Sequence, residues 1–153
     1  MSIQLNVPLV AQIRPFECWY AAACMVAYFH FPGPRLGVPT VWGRSNDSGI
    51  SPREFSQLAQ NEGLKPISTT AASTSVALEH QLRLHGPLWC AGFWFGPGHV
   101  IVLTGVNGNV VHFNDPDGGK KKTGTIDWFN AKLAKSVAGC LLYKAKLSEG
   151  GRY

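Results

Sequence analysis

Charge is scarce in this chain. Only 15% of its 153 residues are Asp, Glu, Lys or Arg, against about 25% in an ordinary soluble domain. Beside 45% apolar residues, that scarcity excludes the disordered class, which lacks the apolar surface needed to offset ordering. No stretch of about 18 consecutive apolar residues occurs, so no helix is expected to span a membrane. The opening Met1-Ser2-Ile3-Gln4-Leu5-Asn6 has neither the basic patch nor the apolar core of a signal peptide. The expectation is synthesis in the cytoplasm, with any export left to a specialised machine that reads no N-terminal signal. The four cysteines, Cys18, Cys24, Cys90 and Cys140, show no C-x-x-C spacing, which argues against a structural zinc site. With no signal peptide, free thiols are expected rather than disulfides, three buried and one reactive. Repeats and low-complexity blocks are missing. The net charge of +5 is scattered, and its one run, Lys120-Lys121-Lys122 beside Gly118-Gly119, reads as a solvated turn. Without a basic stripe interleaved with aromatics, neither nucleic acid nor membrane is an expected partner.

The length suits one compact domain, residues 1–148, with 149–153 as a flexible tail. Ten prolines and seventeen glycines announce many turns. Residues 3–10 read as a short extended segment. The alanine-rich run from Cys18 to Phe29 contains no Gly or Pro and is apolar nearly all round, the mark of a buried helix; Pro32-Gly33-Pro34 should end it. Residues 33–50 form a long loop carrying Trp42, either a groove wall or a cap on the core. Ser51-Pro52-Arg53-Glu54 opens a second helix through a capping box. Phe55, Leu58 and Ala59 form its inward face, and Gly63 stops it. A third helix is expected from Ser75 to His85. Beyond it the period changes. Leu88–Phe95 and His99–Val106 read as strands, Asn107-Gly108 as a two-residue hairpin turn, and Asn109–Asn114 as the returning strand. A short helix over 125–134 and a strand over 139–143 follow. The fold class is α+β, a helical first half packed on an antiparallel sheet.

Thiol chemistry needs a thiolate, and a helix N-terminus and a neighbouring histidinium both favour one. Cys18 opens the long helix, where the dipole acts most; Cys24 sits mid-helix and should be inert. A cysteine at a helix start is by itself as readily a packing residue. Of the five histidines, His99 is best placed to act as a base, at the start of a strand behind Gly96-Pro97-Gly98. His30 follows a helix end, His80 and His85 lie on the third helix, and His112 lies within a strand. A base also needs an orienting group. Pairing outward from the turn sets Val106 opposite Asn109, Leu103 opposite His112 and Ile101 opposite Asn114. Asp115 then falls opposite Val100, one residue from His99. Alone, Asp115 would read as a turn residue before Pro116. An oxyanion would be met by the Cys18 backbone N–H and a side-chain amide, for which Gln12 is the candidate.

Gln12 with Cys18-Trp19-Tyr20-Ala21-Ala22-Ala23, then Gly98-His99-Val100-Ile101-Val102-Leu103-Thr104-Gly105-Val106, then Asn114-Asp115-Pro116, resemble the successive motifs of papain-like cysteine peptidases over roughly residues 8–145. The likeness is greatest to leader peptidase domains of bacteriocin exporters and to effector proteases secreted by plant pathogens. It implies a two-part fold with a cleft for an extended peptide, a Cys18–His99–Asp115 triad with Gln12 at the oxyanion, and no metal or cofactor. Papain itself carries Asn as the third member. Asp115 is preferred to Asn114 here, because the two side chains leave opposite faces of a strand. The expected activity is that of an endopeptidase acting on a protein or peptide, as a secreted bacterial effector or interbacterial toxin, with an immunity or inhibitor protein as a possible partner. The runner-up readings are a peptidoglycan-cleaving cysteine peptidase or amidase, a leader peptidase-like domain, and a non-catalytic module that only binds peptide.

Overall fold

The computed structural model describes residues 2–13, 15–31, 49–68 and 72–145. The expected stop at residues 32–34, Trp42 with nearly all of its loop, and the tail 149–153 lie outside them. Helix α1 spans Cys18–His30, and its residues from Trp19 to Ala27 are all buried. A helix apolar on every side needs neighbours all round, and α1 packs on the three central strands of the sheet. Trp89 Nε1 donates to Trp19 O at 3.0 Å and ties the sheet to the first turn of α1.

The second helix begins as the sequence chemistry asks. Ser51 and Glu54 close a capping box around a single 3-10 turn, Pro52–Glu54, with Ser51 N–H donating to Glu54 Oε1 at 2.8 Å. Helix α2 continues over Phe55–Glu62 and stops at Gly63 with φ 65°. Helix α3 spans Ser75–His85, capped by Thr74. Helix α4 is shorter than expected, Ile126–Lys132, because Thr125 serves as its cap and accepts from Trp128 N–H.

Among the described residues, seven strands form one antiparallel sheet: β1 Ser2–Gln4, β2 Leu64–Pro66, β3 Leu88–Gly92, β4 His99–Asn107, β5 Val110–Asp115, β6 Lys120–Thr125 and β7 Leu141–Lys144. Their order is β2-β7-β3-β4-β5-β6, with β1 added against the far end of β4. There β1 crosses so closely that a Cβ on Gly105 would sit 2.7 Å from Ile3 O. Only glycine fits such an approach.

Two expectations about the sheet are corrected. The Lys120–Lys122 run is not a solvated turn but the start of β6, an edge strand whose exposed lysines discourage pairing with another chain. The β4–β5 turn also sits one residue later than expected. Asn107 pairs with Val110, so the two-residue loop is Gly108-Asn109, with Gly108 at φ 59°. A bulge between Leu103 and Gly105 then slips the ladder by one, giving Leu103–Phe113 and Val102–Asn114. Bulges at such points re-aim side chains near functional sites.

Candidate active site

The cleft lies where the start of α1 meets the ends of β3, β4 and β5. Its volume is about 690 Å³, and Gln12, Cys18, Trp19 and His99 line it together with apolar side chains. Cys18 opens α1, so its thiol sits at the positive end of the helix dipole. Cys18 is half-buried, whereas Cys24, Cys90 and Cys140 are buried, and none of the four is in a disulfide. Burial raises the pKa of the Cys90 thiol well above the ordinary range. Phe16, two residues before Cys18, has φ 69°. A non-glycine residue held there stores about 1–3 kcal/mol of strain, in the turn that aims the helix start at the cleft.

His99, the first residue of β4, is the one histidine lining the cleft among the described residues. His30 Nε2 lies 3.1 Å from His85 O, His85 stacks on Tyr143, and His80 is exposed. His112 borders a separate shallow pocket. His99 Nε2 donates to Asp115 Oδ1 at 2.7 Å, and Cys18 is the other side chain that acts on the ring. Burial pulls the His99 pKa down, but the bonds to Asp115 and Cys18 and their negative charge outweigh it and raise it to about 9.

Asp115 ends β5 with only 1% of its surface exposed. Besides His99, its Oδ1 accepts from Asp117 N–H at 3.0 Å, and its Oδ2 accepts from Lys122 Nζ at 2.7 Å. Burial opposes ionisation, yet the bonds from His99, Lys122 and Asp117 N–H hold the Asp115 pKa down at about 2. Asn114 turns the other way. Its amide reaches Val7 O at 3.4 Å and Met25 Sδ at 3.6 Å in the interior. Gln12 is joined to the same corner, since its backbone N–H donates to Pro116 O at 2.8 Å. No group of three or more His, Cys, Asp or Glu side chains placed to hold a metal ion occurs among the described residues.

The family model described as papain-like cysteine protease AvrRpt2 matches residues 1–134. The chain belongs to this family of papain-like cysteine peptidases. A solved structure similar to it is the crystal structure of a double glycine motif protease from an AMS/PCAT transporter in complex with the leader peptide. The TM-score is 0.55 at 19% identity, over 92% of this chain and 91% of that one. At that identity the likeness speaks for the fold, an α+β papain-like one.

Sequence reasoning missed one residue of the peptidase's site, Lys122. The signal was present. Asp117-Gly118-Gly119 directly follows a strand and is a strong hairpin turn, so the lysines beyond it had to return alongside β5. Lys122 pairs across the ladder with Phe113, and side chains two apart on a strand share a face. Its ammonium therefore emerges on the face that carries Asp115.

Proposed function

We propose that this peptidase cuts a peptide or protein chain laid across the cleft, with Cys18 as nucleophile, His99 as acid and base, Asp115 as orienting group and Gln12 as oxyanion donor. The observation that carries this reading is the 2.7 Å bond from His99 Nε2 to Asp115 Oδ1 at a ring that shares the cleft with Cys18 and Gln12. A His99 pKa of about 9 keeps the ring protonated at neutral pH. Attack requires the Cys18 thiolate, the form that a helix N-terminus and an adjacent imidazolium favour. The thiolate attacks the scissile carbonyl carbon, and the resulting oxyanion is met by the Cys18 N–H and the Gln12 amide. His99 Nδ1 gives its proton to the departing amine as the C–N bond breaks, leaving a thioester. Neutral His99 next takes a proton from water, whose oxygen attacks the thioester. The C–S bond breaks, and the acid product leaves behind the thiolate–imidazolium pair.

Ile13, Phe16 and Phe93 line the cleft with 75%, 58% and 56% of their surface exposed. Apolar surface held out in water at a cleft favours substrates with apolar side chains near the scissile bond. The solved relative binds its leader peptide, which supports a peptide as occupant here. The role of a secreted effector or toxin, delivered into another cell, rests on the resemblance of the Gln12, Cys18-Trp19, His99 and Asp115 motifs to effector proteases. The decisive experiment is peptide hydrolysis with Cys18→Ala and Cys24→Ala. Cys18→Ala should lose turnover by about 10⁶, as for the nucleophile of a coupled catalytic unit, while Cys24→Ala keeps most of it. Turnover that survives Cys18→Ala, or release of wall fragments from peptidoglycan with no peptide cut, defeats the reading.

A further inference from the structure

We propose that Lys122 is a positioning residue of the catalytic site, acting on His99 through Asp115 and completing a relay of four side chains from β4, β5, β6 and α1. The proposal rests on the reading of Asp115 as the group that orients His99. A carboxylate has two oxygens and can rotate. If only one is held, the torsion about its Cβ–Cγ bond stays soft, and the imidazole it aims moves with it. Here both are held. Oδ1 accepts from His99 Nε2 at 2.7 Å and from Asp117 N–H at 3.0 Å, and Oδ2 accepts from Lys122 Nζ at 2.7 Å.

Lys122 is itself held. Its side chain keeps 37% of its surface exposed, but its Nζ lies 4.4 Å from the centroid of the Phe95 ring, within cation–π range. That ring stands 6.0 Å from the His99 ring. Lys122 thus reaches the buried carboxylate from the outer strand with its ammonium over an aromatic face. The charge balance gives the arrangement a second purpose. His99 changes between cation and neutral ring in each cycle, so Asp115 loses its positive partner whenever His99 is deprotonated. A buried carboxylate without a partner is strongly disfavoured. The Lys122 ammonium takes no part in the proton transfers and remains beside Asp115 Oδ2 at the step where neutral His99 must take a proton from water.

Among the described residues the groups facing Asp115 are few. They are His99 from β4, Lys122 from β6 and the backbone N–H of Asp117 from the turn. Lys120, its partner in the ladder, and the Asp117 carboxylate are exposed, and Cys18 from α1 faces His99. The chain has four aspartates, so selective ¹³Cγ labelling follows the titration of Asp115 directly.

The test compares wild type with Lys122→Met, Lys122→Arg and Asp115→Ala in peptide hydrolysis from pH 5 to 9, with thermal melts alongside. Lys122→Met keeps a stem of similar length over Phe95 and removes the charge. Its kcat should fall about tenfold or more, the usual size for loss of an outer partner of a site, with KM within about twofold and melting little changed. The Asp115 ¹³Cγ midpoint should rise by about 1–2 pH units, as for a carboxylate deprived of a close cation. Lys122→Arg should restore most of kcat and return the midpoint toward wild type. The proposal is overturned if Lys122→Met keeps kcat within twofold at every pH, or loses activity only in step with its folded fraction. Full activity in Asp115→Ala would instead sink the underlying reading of Asp115. Loss in Asp115→Ala with none in Lys122→Met would sink the role of Lys122 alone.

Discussion

Asp115→Asn is the change that most sharply tests the site, because asparagine serves as third member in papain itself. The swap keeps size and shape, so any loss reports hydrogen-bond direction and charge. In this structure one carboxylate oxygen meets His99 Nε2 and the other meets Lys122 Nζ, each at 2.7 Å. An amide has one acceptor and one donor end. With its oxygen toward His99, its NH₂ faces the Lys122 ammonium, donor against donor. With its oxygen toward Lys122, its NH₂ faces His99 Nε2, and the ring must move its proton to Nδ1, where neutral His99 can no longer accept the proton of the attacking water. A hydrogen bond to a charged group contributes about 1.5–3 kcal/mol, and about 1.4 kcal/mol is tenfold in rate, so the first arrangement should lower kcat/KM by roughly 10- to 100-fold. The second approaches the roughly 10⁴-fold loss seen when a triad histidine is held in the wrong tautomer. The assay is hydrolysis of a fluorogenic apolar peptide by Asp115→Asn, Lys122→Met and the double variant. Removing the ammonium relieves the donor clash, so the double variant should be at least as active as Asp115→Asn alone. Retention of more than a third of wild-type kcat/KM by Asp115→Asn, or simply additive losses in the cycle, would refute this reasoning.

Gln12→Ala should lower kcat by about 10²–10³, the worth of one oxyanion donor, while alkylation of Cys18 by iodoacetamide continues; an unchanged kcat removes Gln12 from the site. Stability should depend on pH through the His99–Asp115 pair. The His99 pKa is raised from 6.5 to about 9, so its contribution is full below 6.5 and lost as pH rises through 9. The Asp115 pKa is lowered from 3.8 to about 2, so its contribution is full above 3.8 and lost as pH falls through 2. Urea midpoints should therefore show the pair's full effect between those limits, and Asp115→Ala should flatten both flanks. Asn114→Ala should cost about 1–2 kcal/mol of folding stability through its lost interior bonds, with kcat unaltered. Trp89→Phe removes the bond from Trp89 Nε1 to Trp19 O beside Cys18. It should lower kcat per folded molecule as well as the melting temperature, because small displacements of reacting groups are costly in rate.

What could be read from the sequence was what local chemistry decides. The capping box at Ser51 and Glu54, the left-handed stop at Gly63 and the buried alanine-rich helix from Cys18 depend on residues a few positions apart. The sheet was legible only where apolar runs marked it. β6 hid in Lys120–Thr125 because an exposed edge strand carries no apolar stripe, and with it went Lys122. The hairpin register shows the limit best. With Asp115 opposite Val100, as pairing outward from Asn107-Gly108 suggests, its side chain would leave the sheet on the face away from His99. Moving the turn on by one residue and adding the bulge at Thr104 changes this. The ladder then runs from Val102–Asn114 on to Ile101 beside Asp115, and Ile101 shares a face with His99. The bulge, which no local signal announced, is what sets carboxylate and imidazole on one side. That Asp115 and Asn114 point to opposite faces holds in any register, but which of the two shares a face with His99 depends on the turn and the bulge.

The site is assembled in two parts of unequal difficulty. His99, Asp115 and Lys122 fall within 24 consecutive positions on two successive hairpins, so once β4, β5 and β6 have paired, the basic half of the site exists with its charges matched. Cys18 and Gln12 come from far along the chain and meet that half through a few bonds. Trp89 Nε1 fixes the first turn of α1 at Trp19 O, and the Gln12 N–H holds its own loop to Pro116 O. The second bond matters for its position. Pro116 adjoins Asp115, so the strand end that aims His99 also anchors the loop that presents Gln12. A shift at this corner would therefore move Asp115 and Gln12 together. One backbone hydrogen bond ties the Gln12 loop to the strand end that carries Asp115, and the Cys18 thiol stands at the head of a helix buried from Trp19 to Ala27, the reference against which both are set.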